Sequence, residues 1–149
     1  MRQRIRVSAL VVRNGGLLLV RHVVNNREWW CPPGGGVEGA EPLPVAAERE
    51  LLEETGVTAH ALRVAYLLDF IVPDPPCRNL EVYVLMGKAT GEPRVPEHES
   101  RYLKEARFVR REEMATLTVY PAALRDAFWD DLSEGVDEAR YLGLTTFEP

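Results

Sequence analysis

The chain has 149 residues, with 18 lysines and arginines against 23 aspartates and glutamates, which gives a formal net charge of −5. Hydrophobic residues make up 46% and charged residues 28%, a balance typical of a globular protein rather than a disordered or fibrous one. A chain of this length buries roughly 68–70% of its unfolded surface, so residues 1–149 are expected to form a single domain without a disulfide or metal staple. The acidic charge argues against a nucleic-acid binder, which needs a basic surface.

The two cysteines and the N-terminus indicate the compartment. Cys31 and Cys77 match neither a zinc-binding spacing nor a disulfide framework. Arg2, Arg4 and Arg6 interrupt the N-terminal apolar residues, so no secretory signal is evident. No stretch approaches the roughly 18–20 continuous apolar residues of a membrane span. We therefore expect a cytoplasmic protein with reduced thiols and no membrane partner.

Turn residues and apolar periodicity predict strands and helices without regular alternation, which favours an α/β or α+β sandwich. The Asn14-Gly15 pair lies between two apolar runs and predicts a hairpin, because both central residues of its tight turn need positive φ. The Pro-Pro-Gly-Gly-Gly sequence at residues 32–36 excludes a helix there. In chain order we expect strands over 5–12 and 17–24, a helix over 45–55 ending at Gly56, strands over 61–72, 80–88 and 106–109, a helix start at 111–114, a final amphipathic helix over 120–134 and a short strand over 140–146.

The helix over 45–55 carries three carboxylates close together. Glu50, Glu53 and Glu54 are spaced i, i+3 and i+4, which places them within an arc of about 100° on one face. Such like charges repel one another, and their hard oxygen atoms suit Mg²⁺ or Mn²⁺. A solvated acidic face is the alternative interpretation of the glutamates alone. The apolar side chains expected to point toward the core are Val45, Leu51 and Leu52.

A glycine run directly before this helix favours the metal interpretation. Residues 34–36 have no side chain to prevent a close approach of the backbone to an ion or a phosphate. A glycine-rich turn is usually only a turn, but here it adjoins an acidic helix. A backbone carbonyl and the carboxylates are therefore expected to share one cation.

The whole segment 35–57 follows a defined pattern. It consists of Gly35, five residues, Glu41, seven residues, and Arg-Glu-Leu-Leu-Glu-Glu-Thr-Gly-Val at residues 49–57. This resembles the Nudix box, Gly-x5-Glu-x7-Arg-Glu-U-x-Glu-Glu-x-Gly-U with U a bulky aliphatic residue, at every defined position. One departure is Ala40, where relatives usually have glycine, and it lies outside the defined pattern.

The resemblance implies a Nudix-type α/β/α sandwich with a mixed central β-sheet. It also implies hydrolysis of the pyrophosphate bond in a nucleoside diphosphate linked to another group, with Mg²⁺ or Mn²⁺ as the cofactor. The implied metal ligands are the Gly35 carbonyl and the three glutamates of the helix, and Arg49 is expected to pair with Glu41 or to orient a metal-binding glutamate. The implied catalytic residues are Glu50, Glu53 and Arg49.

The general base and the substrate contacts are less narrowly defined. Glu53 is the first choice of base, and Glu97 and Glu99 on a later loop are its rivals. The expected substrate contacts are Trp29, Arg27 and Pro73. In the family, a proline 16 residues past the box often accompanies ADP-ribose cleavage, and Pro73 stands at that spacing after the box. The sequence therefore favours ADP-ribose or a related nucleotide sugar.

Two alternatives to this substrate class stay open. One is a nucleoside triphosphate pyrophosphohydrolase that acts on modified nucleotides. The other, which the intact glutamate set disfavours, is a nucleotide-sensing module that has kept the fold and lost turnover. A homodimer is compatible with the resemblance, although no segment identifies an interface. No nucleic-acid partner is expected.

Overall fold

The computed structural model describes residues 1–148. Over that range the chain forms two β-sheets and three α-helices. In chain order the elements are β1 (Arg2–Leu10), β2 (Val12–Arg13), β3 (Gly16–Val24), β4 (Arg27–Cys31), β5 (Gly34–Gly36), α1 (Leu43–Thr55), β6 (Ala61–Val72), β7 (Cys77–Met86), a 3₁₀ turn (Glu97–Glu99), β8 (Leu103–Arg110), α2 (Arg111–Met114), a second 3₁₀ turn (Ala122–Leu124), α3 (Ala127–Glu134) and β9 (Arg140–Thr146).

The larger sheet has five strands in the order β5-β1-β7-β6-β9 and is mixed. Strand β1 runs parallel to β7 and antiparallel to β5, whereas β6 runs antiparallel to β7 and parallel to β9. The register sets Val7 opposite Val82 on one neighbour, and Ser8 opposite Gly34 on the other. In the smaller sheet, β3 pairs with β2 and β4 along one edge and with β8 along the other.

Helices cover both faces of the larger sheet. On one face, the fully buried Ala47 and Leu51 of α1 pack in a core cluster with Val82 of β7. On the other, Phe128 of α3 meets Tyr66 of β6 at a ring-centroid distance of 6.5 Å, within the cluster that also joins the smaller sheet. The predicted sandwich of helices around a mixed sheet is therefore confirmed.

The predicted opening hairpin is only partly correct. Asn14 and Gly15 have positive φ values of 50° and 77°, as the tight turn requires. However, the strand before the turn that pairs with β3 is only Val12–Arg13. Residues 2–10 leave the hairpin and pair with β5 and β7, where Val7, Ala9 and Leu10 are buried in the core between the sheet and its neighbours.

The predicted helix over 120–134 is also wrong in its first half. Residues Ala122–Leu124 form a 3₁₀ turn, and α3 begins only at Ala127. Asp126 precedes it with φ −133°, outside the helical range, so the turn and α3 are separate elements.

Helix α1 begins at Leu43, two residues earlier than predicted, with a proline in its first turn. It ends at Gly56, which has φ 73° and whose N–H donates to the Leu52 carbonyl at 2.9 Å. Leu51 is buried as expected, but Val45 and Leu52 are 47% and 50% exposed, which corrects the prediction for both. They lie seven residues apart on one side of α1, roughly 100–120° around the helix from Leu51, so they share the solvent side.

The described residues 1–148 contain no helix that is both long and apolar enough to cross a membrane. Cys31 and Cys77 are both free thiols.

Candidate metal and substrate site

Arg49 lies at the centre of the loop and helix that carry the acidic residues. Its Nε and Nη2 donate to the two carboxylate oxygens of Glu41 at 3.0 and 2.6 Å, and Nη2 also donates to the Gly36 carbonyl at 3.1 Å. Its Nη1 donates to Glu50 at 2.9 Å and to Glu53 at 3.1 Å. The hydrogen bonds to Glu41 are the main reason that the pKa of Arg49 is raised. Arg49 thus fastens the loop before α1 to the helix and orients two of its glutamates.

Glu54 is the most deeply buried of the three glutamates, with 8% of the residue exposed. Its Oε1 accepts a hydrogen bond from the Gly34 N–H at 2.7 Å, which ties α1 to β5. Burial raises the pKa of Glu54 to about 8, with repulsion from Glu50 and Glu99 adding to it and the Gly34 hydrogen bond opposing it. A cation bound beside these carboxylates would offset both the burial of Glu54 and the repulsion from Glu50 and Glu99, so the cluster favours cation binding.

Two glycines of β5 allow the close approach of strand and helix. A Cβ on Gly34 would lie 2.2 Å from the Val7 carbonyl oxygen, and a Cβ on Gly35 would lie 2.3 Å from Oε1 of Glu50. Because real Cβ atoms do not come so near, any side chain at either residue would force β1 or Glu50 to move. The glycine run therefore sets the spacing between the backbone and the carboxylates.

A cavity of about 500 Å³ opens beside this cluster, and Gly34 belongs to its lining. Trp29, which the sequence analysis predicted as a substrate contact, lines the cavity with other aromatic rings from β6, β7 and the C-terminal segment. The aromatic rings in the lining are Trp29, Phe70, Tyr83, Tyr120, Phe147 and the imidazole of His22. An apolar, ring-lined space next to carboxylates suits a ligand with an organic part and a charged part.

Polar side chains from β1 and β7 also line the cavity. Arg6 Nε donates to Glu81 Oε2 at 2.9 Å, and Ser8 Oγ donates to Glu81 Oε1 at 2.5 Å. Glu81 is 3% exposed, so its charge is compensated by Arg6 rather than by water. Arg4 lies two residues before Arg6 on the same face of β1 and lines the cavity as well. Two guanidinium groups are therefore available beside the glutamates.

The other predicted site residues lie in different surroundings. Arg27 and Pro73 are exposed and stand outside the lining of the cavity that the described residues form. Glu99, in the first 3₁₀ turn, is half-buried and close enough for its charge to raise the pKa of Glu54. Glu97, in the same turn, is exposed. Of the two late-loop candidates, Glu99 is the one that acts on the glutamate cluster.

Sequence reasoning missed the arginines and the buried acid of the cavity. Arg4, Arg6 and Ser8 alternate along β1, and this alternation signals one polar face of a strand. Their partner Glu81 depends on the parallel register of β1 and β7, which sets Arg6 opposite Glu81 across 75 residues. No local pattern indicates that register.

The raised pKa of Glu54 predicts a pH-dependent stability for the metal-free protein. The folded chain holds a proton up to about pH 8, whereas the unfolded chain releases it near the ordinary value of 4.5. The contribution of Glu54 to stability is therefore fully present below pH 4.5 and is lost as the pH rises to about 8. Urea unfolding in EDTA at pH 5, 6.5 and 8 should show this decline in the unmodified chain and a flatter profile in Glu54→Gln. Parallel profiles in the two proteins would contradict the assignment.

Comparison with known proteins defines the class. The NUDIX domain family matches residues 2–128, which is most of the chain. The chain therefore belongs to the Nudix family, and the prediction of a Nudix-type hydrolase is confirmed at the level of the family.

Individual relatives cover different shares of the chain. Phosphatase NudJ from Escherichia coli (strain K12) is 36% identical over 70 residues, 47% of this chain and 46% of NudJ, so the match spans about half the length of that relative. The MutT protein from Methanosarcina mazei Go1 is 26% identical with a TM-score of 0.71, over 89% of this chain and 95% of that one. An ADP-ribose pyrophosphatase from Streptococcus suis shares the fold at 18% identity, with a TM-score of 0.65 over 93% and 98% of the two chains.

Proposed function

We propose that this protein is a Mg²⁺-dependent hydrolase that cleaves the pyrophosphate bond of a nucleoside diphosphate derivative. The observation that carries the proposal is the cluster of Glu50, Glu53 and Glu54 on α1, held against the glycine strand and beside a cavity that two arginines line. Carboxylates and guanidinium groups side by side suit a metal-bound phosphate chain better than either a free cation or a free anion.

The donor atoms fit a divalent cation. The three carboxylates and the Gly35 carbonyl are hard oxygen ligands of the kind that Mg²⁺ and Mn²⁺ prefer. Over residues 1–148, no three acidic, histidine or cysteine side chains converge as they stand on a point that would hold an ion. Arg49 donates to Glu50 and Glu53, so binding of a cation requires these carboxylates to turn from the guanidinium toward the ion. When bound, the cation would stabilise negative charge on the phosphates as a Lewis acid.

The residues around the cluster would bind the two parts of the substrate and hold the site in shape. Arg6, held by Glu81, and Arg4 line the cavity and offer charged hydrogen-bond donors to the phosphates. The aromatic lining excludes water and holds the organic part of the substrate. Arg49 bonds Glu41 and the Gly36 carbonyl, so the backbone of the loop before α1 is fixed against the helix before the substrate binds.

Glu53 is our proposed general base, with Glu99 as its rival. Glu53 is the most exposed of the three helix glutamates, with 44% of its side chain accessible, so water reaches it. Glu99 faces the same cluster from the 3₁₀ turn. Turnover and Mn²⁺ affinity of Glu99→Gln and Glu53→Gln distinguish the two. If Glu99→Gln loses turnover at unchanged Mn²⁺ affinity and Glu53→Gln keeps its turnover, Glu99 is the general base.

ADP-ribose or a related nucleotide sugar is our first choice of substrate, on the spacing of Pro73 from the box. Pro73 lies in the exposed turn after β6, and the neighbouring Val72 lines the cavity, so the proline would act through that turn. Modified nucleoside triphosphates are the alternative substrate class, that of a MutT-like enzyme, and two proteins named MutT are 26% identical to this chain. The cytoplasmic location and the homodimer stay predictions.

A substrate panel with product analysis tests the proposal. ADP-ribose, a nucleotide sugar and the nucleoside triphosphates are each incubated with the protein and Mg²⁺, and the products are separated. We expect AMP and ribose 5-phosphate from ADP-ribose. Release of pyrophosphate from triphosphates, with ADP-ribose intact, would establish the alternative. Binding without cleavage of any member at saturating Mg²⁺ would establish a nucleotide sensor.

Gly35→Ala should separate activity from stability. The three atoms nearest to the added methyl all belong to the carboxylate of Glu50, the end of a flexible side chain, so we expect turnover to fall about tenfold or more while the melting temperature changes little. Gly87→Ala is the matched control, because its Cβ has ordinary contacts of 3.5 Å and more. Rates measured at several Mg²⁺ concentrations test this. Equal activity in both variants would show that the Gly35–Glu50 approach does not matter.

A further inference from the structure

The C-terminal segment forms one wall of the cavity, although it lies beyond the family match. That match ends at residue 128. The cavity lining continues with four residues after it, namely Leu142, Thr145, Thr146 and Phe147. This wall of the cavity therefore lies outside the region that the family model matches.

Phe147 joins aromatic rings from three separate parts of the chain. Its ring centroid lies 5.2 Å from Tyr120, 5.4 Å from Trp29 and 6.2 Å from Phe70. The planes are inclined by 67°, 75° and 59°, so the rings meet at their edges rather than face to face. All four rings also line the cavity, so together they form an aromatic wall against which a planar ligand can pack.

Backbone hydrogen bonds hold this segment in place. Strand β9 pairs with β6, and the Phe147 N–H donates to the Ile71 carbonyl at 2.8 Å just after the last pair. The Tyr120 hydroxyl donates to the Glu148 carbonyl at 3.0 Å. The backbone of Phe147 is therefore bonded to the edge of the larger sheet, which fixes the position of its ring at the cavity.

The rest of the lining suits a planar heterocycle with polar edges. His22 stacks on Trp29 at 5.3 Å with the planes 7° apart, and burial lowers the pKa of His22 to about 4. The imidazole is thus neutral at pH 7 and supports the indole without adding charge. Asn79 also lines the cavity and is 3% exposed, and its amide offers both a donor and an acceptor.

We propose that Phe147 is a specificity-determining residue, an inference that rests on the proposed action on nucleotides. Its ring, with Trp29 and Tyr120, binds the nucleobase of the substrate. The C-terminal segment thereby selects nucleotides over diphosphates that lack a base. Base–aromatic stacking contributes to affinity for any of the bases, because each has a π face.

Calorimetric titration of AMP and of ribose 5-phosphate in Mg²⁺ buffer tests the assignment. Phe147→Ala should weaken AMP binding about tenfold and leave ribose 5-phosphate binding unchanged, since only AMP carries a ring. Leu144→Ala is the matched control. Leu144 lies on β9, three residues before Phe147, is 61% exposed and stands outside the cavity lining of the described residues, so both affinities should stay unchanged.

Several results would overturn the proposal. Unchanged AMP affinity in Phe147→Ala, or equal weakening of both ligands, would show that the ring does not bind the base. Tighter AMP binding in Phe147→Ala would show that the ring blocks the cavity. Absence of AMP binding to the unmodified chain would also overturn the proposal. If Phe147→Ala fails to fold by circular dichroism, Phe147→Leu keeps the apolar bulk without the ring and takes its place. Binding needs no turnover, so selective loss of AMP binding in a chain that cleaves nothing would support this assignment and reject only the proposed hydrolysis.

Discussion

Replacement of Glu54 by glutamine is expected to reduce turnover of the nucleotide substrate by at least about hundredfold while the chain stays folded. The amide removes the charge that would hold a cation, but its oxygen still accepts the Gly34 N–H. The buried site tolerates a neutral group, since burial already raises the pKa of Glu54 to about 8. Initial rates against Mg²⁺ concentration and a thermal melt measure the two effects.

Glu48→Gln is the control for this substitution. Glu48 lies on the same helix, and its Oε1 accepts the Ala61 N–H at 3.0 Å, a bond that glutamine also makes. We expect near-normal turnover from this variant. Near-normal turnover from Glu54→Gln as well would mean that the metal assignment is misplaced.

Replacement of Arg49 by alanine should have the largest effect on stability among the site variants. It removes the hydrogen bonds to Glu41 and to the Gly36 carbonyl, and it leaves Glu50 and Glu53 to repel each other without a shared cation. We expect the free energy of unfolding to fall by about 2 kcal/mol, and turnover to fall at least tenfold by a rough estimate. Urea unfolding and initial rates measure both.

A double-mutant cycle with Glu41→Gln shows where the loss arises. Because the guanidinium forms two hydrogen bonds with Glu41, the two substitutions should be non-additive, with a coupling of about 1–2 kcal/mol. Arg49→Lys keeps the charge but not the planar fork, so it should recover little of the loss. Additive effects would show that Arg49 and Glu41 act independently, and full recovery by lysine would show that Arg49 acts only through its charge.

The parts of the site that were predictable lie close together in sequence. Helix periodicity placed Glu50, Glu53 and Glu54 on one side of α1, and the cap at Gly56 follows from the local backbone. The pairing of Arg49 with Glu41 is also confirmed, at 2.6 and 3.0 Å. These features depend on spacing within one loop and one helix, which the order of residues determines.

The features that escaped prediction depend on which strands become neighbours. Arg6 meets Glu81 only because β1 runs parallel to β7, and Phe147 reaches Trp29 only because β9 joins the edge of β6. The same cause explains the error over residues 5–12, where most of the run pairs with the larger sheet instead of the hairpin partner. Pairing between distant strands is decided by burial of the whole sheet and leaves no local signal.

The most direct test of the account is diffraction from crystals soaked in Mn²⁺, with anomalous data collected near the manganese edge. We predict anomalous peaks beside the carboxylates of Glu50, Glu53 and Glu54, close to the Gly35 carbonyl. Glu54→Gln crystals treated in the same way should show weaker peaks or none. Peaks elsewhere, with the glutamate cluster of α1 empty in the unmodified protein, would contradict the account.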